Sequence, residues 1–135
     1  MHVGILSAQD PGRGPLSVPV WYAYAPGGTL DVVTEETSRK ARCCLHAAGR
    51  FSRWPQSEDL PDRYVGVEGP ISVPRTPATD EERRALAYRY LGAELGELSL
   101  AATEADAATS VAFCLSPERW LSTDMAEQFG GGPPG

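Results

Sequence analysis

The chain has 135 residues, 41% hydrophobic and 22% charged, with a formal net charge of −6, which fits one domain around one core and leaves little field to attract DNA or RNA. No apolar run approaches the roughly 20 residues that cross a bilayer, and MHVGILSAQD carries neither a basic n-region nor a cleavage site, so the sequence predicts a cytoplasmic protein that does not enter membranes. Three cysteines, Cys43, Cys44 and Cys114, make no even disulfide framework, in keeping with a reducing compartment.

In chain order, VGILSA (3–8) reads as a short apolar strand and DPGRGP (10–15) as the turn of a hairpin; Gly12-Arg13-Gly14 is too short for a nucleotide loop. In LSVPVWYAY, Val18, Val20, Tyr22 and Tyr24 alternate with Ser17, Pro19, Trp21 and Ala23, the period of a strand, and Pro19, which cannot donate to a ladder, puts that strand at an edge or a bulge. APGG turns the chain into a third strand, TLDVVT (29–34). From Ser38 to about Ala48 the pattern turns helical, with Gly49 expected just past its end. RFSRWPQ then reads as a broken or very short strand because of Arg53 and Pro55.

Further along, Tyr64 to Val73 predicts a strand with a bulge at Gly69-Pro70. Thr79 and Glu82 form a capping box for a helix running to about Leu91, interrupted near Gly92 and Gly96 and resuming to Leu100, with Ala87, Leu91, Leu95 and Leu98 facing the sheet. TSVAFCLSP (109–117) is a last strand, and Ser116-Pro117-Glu118 reads as the start of a closing helical turn. The sum is an α+β fold, mainly β with flanking helices, built on an antiparallel sheet of five or six strands and filling residues 1–129, with 130–135 as a flexible Gly/Pro tail.

The chemistry gathers in TSRKAR. Ser38, Arg39, Lys40 and Arg42 fall at the start of the helix, where free N–H groups and the helix dipole already favour an anion, so cations placed there oppose the dipole unless a phosphate offsets them. The plain alternative is that Glu35 and Glu36 neutralise Arg39 and Lys40 as i,i+4 pairs on a solvated surface. Spacing alone leaves both open. Cys43 and His46 lack a second ligand pair with zinc-like spacing, and the cysteines read as buried structural thiols. Trp21 and Tyr22 suit either stacking on a planar ligand or packing the core.

The ordered set VGILSA, GPLSVPVWYAY, GTLDVVTEETSRKAR, RYVGVEGPI, RRALAYRYLG and LSPERWLSTD resembles the pyridoxamine 5'-phosphate oxidase-like, FMN-binding split-barrel family, including its deazaflavin-dependent relatives, over roughly residues 3–125. The resemblance implies an antiparallel split β-barrel that pairs as a homodimer with the cofactor between subunits. It implies that Ser38, Arg39 and Lys40 hold a flavin phosphate with Arg42 as a further basic group, that Val33 and Thr34 line the flavin, and that Val18, Pro19, Val20 and Trp21 run beside its ring. Glu68 and Gly69 fall in the family's VEG strand. The implied activity is an oxidoreductase acting on a small organic substrate with FMN or, alternatively, the deazaflavin coenzyme F-420; the other class is a non-enzymatic binder of flavin, haem or another planar ligand, or a remnant without cofactor. The ring carries the redox chemistry in such proteins, which accounts for the lack of an evident catalytic triad or carboxylate dyad. Basic residues that would grip a vitamin B6 phosphate are not evident in VPVWYAY, so that substrate is not expected.

Overall fold

The computed structural model describes residues 3–44, 48–53, 63–72 and 74–124. Among the described residues eight strands fall in two sheets: β1 (Gly4–Ala8), β2 (Leu16–Val20), β5 (Ala48–Arg53), β6 (Arg63–Pro70) and β8 (Arg119–Asp124) in the order β2-β1-β5-β6-β8, and β3 (Ala23–Tyr24), β4 (Leu30–Glu35) and β7 (Ser110–Leu115) in the order β3-β4-β7. Every strand pair is antiparallel, as the sequence predicts, but the described strands form two sheets and not one closed barrel. The chain crosses between sheets at Trp21-Tyr22, between β4 and β5, after Pro70 and at 116–118, and two isolated bridges, Ile71 to Leu115 and Arg75 to Ala112, tie the crossing after Pro70 to β7.

The core lies between the sheets. Leu6, Val20 and Val67 from the larger one meet Leu30, Val32, Phe113 and Leu115 from the smaller, and Tyr22 and Cys44 complete the cluster. Val18 and Tyr24 pack against it, so the face predicted from the alternation in LSVPVWYAY is the inward one. Fully burying Leu6 and Val67 contributes about 1.5–3 kcal/mol each. Pro19 sits on β2, the sheet edge, where its missing N–H costs no ladder bond.

Several expectations are corrected, each because a tertiary pairing outweighs a local signal. The helix α1 is only Arg39–Cys44, and Gly49 lies within β5 instead of closing the helix. The stretch read as a broken strand is an interior strand: β5 is hydrogen-bonded to β1 on one side and β6 on the other, and that two-sided ladder overrides the weak propensity of AGRFSR. Pro55 lies outside the described residues. No bulge interrupts Gly69-Pro70, because β6 keeps regular register with β5 through Pro70, where the strand ends and the chain changes sheet. The Ser-Pro-Glu segment opens no helix: Ser116 N donates to Pro70 O at 3.0 Å and Glu118 N to Glu68 O at 2.8 Å, leading straight into β8.

The long helix α2 (Asp80–Ala102) starts as predicted, with Thr79 and Glu82 capping each other reciprocally. At Gly92 the backbone takes φ 80° and ψ 173°, a region open almost only to glycine, and the helix doubles back. The two arms lie side by side: Tyr88 and Arg84 reach Glu97, and Arg83 reaches Thr103. A Cβ on Gly96 would come within 2.7 Å of the Tyr88 ring, so the arms meet closely there. This reversal breaks the helical phase. Ala87 on the first arm is buried as expected, whereas Leu95 and Leu98 on the second are 58% and 63% exposed and do not face the sheet.

Candidate functional site

The end of β4 and the start of α1 are fixed by backbone bonds. Glu36 N donates to Thr109 O at 2.9 Å and Ser38 N to Glu35 O at 3.0 Å. Ser38 Oγ then accepts from Ala41 N at 3.2 Å and from Thr34 Oγ1 at 3.3 Å, which makes it the cap of α1 and ties that cap to β4.

The basic cluster does not act as one unit. Arg39 Nε donates to Asp10 Oδ2 at 2.5 Å, so the anion that offsets this cation comes from the β1–β2 turn, and not from Glu35 as an i,i+4 partner. Arg42 is exposed in the last turn, where a cation suits the helix dipole. Lys40 makes no ion pair among the described residues and lines a groove of about 410 Å³ together with Val33, Thr34 and Ser38.

The opposite wall of that groove comes from the helical hairpin. Arg83, with a side chain only 9% exposed, donates from Nη2 to Thr103 O at 3.3 Å and holds Asp80 and Glu104 at 3.7 Å from Nη1. Sequence reading missed Arg83. It lies 43 residues beyond Lys40, and the packing of the first arm of α2 on β4 brings it to the groove, while the doubling-back at Gly92 brings Thr103 to it. Glu35 and Asp106 also line the groove, so a ligand there meets a mixed wall in which Lys40 is the cation without a carboxylate partner among the described residues.

A second groove of about 480 Å³ lies between the first arm of α2 and the face of β4 and β7 turned away from the core. Its apolar lining includes Val33, Leu86 and Ala112, and its polar lining Asp31, Arg75, Glu81 and Glu82. Val33 lines both grooves, so they adjoin.

The remaining predicted residues lie elsewhere. Val18 and Val20 serve the core, with Val20 5% exposed, and Pro19 is exposed on the β2 edge. Trp21 is 39% exposed and stacks on Tyr90 with ring centroids 4.9 Å apart and planes 4° from parallel, while the Arg89 guanidinium lies 5.0 Å over the Tyr22 ring. Thus Val33, Thr34, Ser38 and Lys40 come together, and Arg39, Arg42, Val18, Pro19, Val20 and Trp21 line neither groove. Glu68 and Gly69 meet the 116–118 crossing: a Cβ on Gly69 would fall 1.8 Å from Ser116 O.

The neighbouring cysteines of α1 are buried. Burial pushes the Cys44 thiol up to about 12, with a further contribution from Cys43, and burial together with the nearby Asp10 carboxylate raises Cys43 against the opposing pull of Arg39 and Arg42. Both remain protonated thiols at neutral pH, the structural reading made from sequence. His46 lies outside the described residues. No helix among them is long and apolar enough to cross a membrane.

No family model matches the chain and no curated protein matches its sequence. Solved structures do. The chain is similar to an F420 reductase at 24% identity and TM-score 0.70, with 89% of each chain covered. It is similar to a FAD and heme binding protein from Mycobacterium smegmatis at 18% identity and TM-score 0.64, covering 96% of this chain and 72% of that one. A pyridoxamine 5'-phosphate oxidase named as putative, from Listeria innocua, matches at 12% identity and TM-score 0.58, covering 90% and 88%. At these identities the likeness establishes a shared fold, the one the sequence resemblance implied.

Proposed function

We propose that this protein binds a flavin or deazaflavin coenzyme, FMN or F-420, and works as an oxidoreductase on a small organic substrate. The observation that carries the reading is Lys40, a cation without an ion pair among the described residues, set beside the Ser38 cap in a groove that Arg83 closes from the other side. A phosphate or phosphodiester fits that donor set, because it supplies the anion that the lysine lacks. The shared fold with an F420 reductase and a FAD and heme binding protein supports the same class.

A bound flavin or deazaflavin ring supplies the hydride acceptor or donor. The chain's own part is to bind and orient: Lys40 holds the anionic end, Ser38 and Thr34 fix the start of α1 against β4, and Val33 offers an apolar surface where the two grooves meet. In the same proposal a second copy of the chain completes the site. The residues read as flanking the ring, Pro19 and Trp21, lie on an exposed edge outside both grooves and would reach a coenzyme across a dimer seam.

Titration of the purified protein with FMN and with F-420, followed by absorbance and fluorescence, tests the reading. Saturable binding of one of them, lost or weakened about tenfold or more in Lys40→Ala, supports it; absence of binding to both ends it. A second reading, capture of a planar ligand without turnover, is favoured by the likeness to the FAD and heme binding protein. A bound coenzyme that a chemical reductant bleaches, but that no substrate reoxidises or reduces, distinguishes the two.

A further inference from the structure

The second groove has a charge character that selects its occupant. Its floor is apolar, formed by Val33, Leu86 and Ala112, and its volume of about 480 Å³ suits a small aromatic or aliphatic molecule. Three carboxylates and one guanidinium line it. Arg75 pairs with Glu82, whose other oxygen accepts from Thr79 N at 2.8 Å, so that carboxylate is committed to the helix cap and to the only basic group among the described lining residues. Asp31 accepts from Thr29 Oγ1 at 2.7 Å, a neutral donor that leaves its charge in place. Glu81 has no ion-pair partner among the described residues. The two uncompensated charges come from different elements, Asp31 from β4 and Glu81 from the first turn of α2, and line the same apolar groove.

From this arrangement we propose that the second groove binds small organic cations, an ammonium or amidinium group on an apolar body, with Asp31 and Glu81 facing the charge. Low-dielectric walls focus the field of the two carboxylates and disfavour anionic ligands of the same shape. Because Val33 is common to both grooves, the site borders the proposed coenzyme groove and supplies a substrate class for it; that assignment as substrate rests on the coenzyme reading, whereas cation binding does not.

Isothermal titration of the coenzyme-free protein with three probes of similar size, 2-phenylethylammonium, 2-phenylethanol and phenylacetate, tests the inference. The expected order is ammonium tightest, by about fivefold over the alcohol, and the carboxylate weakest, with the preference shrinking at high salt. In the Asp31→Asn/Glu81→Gln double variant the ammonium falls to the level of the alcohol. In Ala85→Phe, which fills the groove without changing its charge, the ammonium and the alcohol both lose affinity; circular dichroism and thermal unfolding confirm that each variant is folded. Equal binding of ammonium and alcohol, a preference for phenylacetate, no binding of any probe, or binding unaffected by Ala85→Phe overturns the proposal. FMN and F-420 titrated in parallel separate the two readings: a coenzyme that binds while the ammonium does not refutes only the cation site, and the reverse refutes only the coenzyme site.

Discussion

Arg39 and Asp10, 29 residues apart in sequence, are joined side chain to side chain at 2.5 Å. The bond ties the first turn of α1 to the β1–β2 turn, where Arg13 N donates to Asp10 O at 3.0 Å and Gly12 takes φ 78°. It also divides the labour within Ser-Arg-Lys, since an arginine held by the chain's own carboxylate is less available to a ligand than its neighbour Lys40.

That division predicts opposite signatures for two substitutions. Arg39→Ala should lower stability by about 1 kcal/mol, a modest figure because the arginine is 37% exposed, and should weaken coenzyme binding only slightly. Lys40→Ala should leave thermal stability within about 0.5 kcal/mol and weaken coenzyme binding by about tenfold or more. Paired thermal-unfolding and titration measurements check this; equal loss of affinity in both variants would contradict the division.

The thiols carry a pH prediction. The folded-state pKa of Cys44 is raised from 9.0 to about 12. Between those values the unfolded chain has lost its proton while the folded chain keeps it, so the unfolded state binds fewer protons and stability falls as pH rises through that window. Urea unfolding at pH 8 and pH 10.5 should show the drop, and Cys44→Ser should reduce it, leaving the contribution of Cys43. With iodoacetamide at pH 8, Cys114, which is only partly buried, should react before Cys43 and Cys44.

Gly92 sets the reversal of α2. An alanine there would have to adopt φ 80°, ψ 173°, at a cost of about 1–3 kcal/mol. Gly92→Ala should therefore lower the midpoint of thermal unfolding, and because the second arm leads to Thr103 and Asp106 at the proposed coenzyme groove, it should weaken coenzyme binding as well. Unchanged binding in a folded Gly92→Ala protein would show that the second arm does not shape that groove.

Gly69 has a steric role. Any side chain at this position would overlap Ser116 O, a backbone atom that cannot swing aside. Gly69→Ala should destabilise by about 3 kcal/mol or more, the upper range for overpacking, whereas Gly14→Ala, with open space around it, should be near neutral. Chemical denaturation of the two variants compares them directly.

The sequence by itself determined most of the local structure. Alternation placed Val18, Val20, Tyr22 and Tyr24 on the inward face, Pro19 marked an edge, and Thr79 with Glu82 marked the start of α2, because these signals depend on neighbours a few residues away. The ordered motifs also carried the fold that the solved structures share. Tertiary structure alone decided the rest. AGRFSR became an interior strand because β1 and β6 satisfy its backbone on both sides, and SPE became a crossing because its N–H groups found partners on β6. Leu95 and Leu98 lost the sheet when Gly92 turned the helix back, and the same turn carried Thr103 back to Arg83 at the groove beside Lys40. Asp10 took Arg39 across 29 residues. Pairings of that range lie beyond any local periodicity, since they arise only when separate elements have packed and a polar group must find its partner within reach of the folded chain.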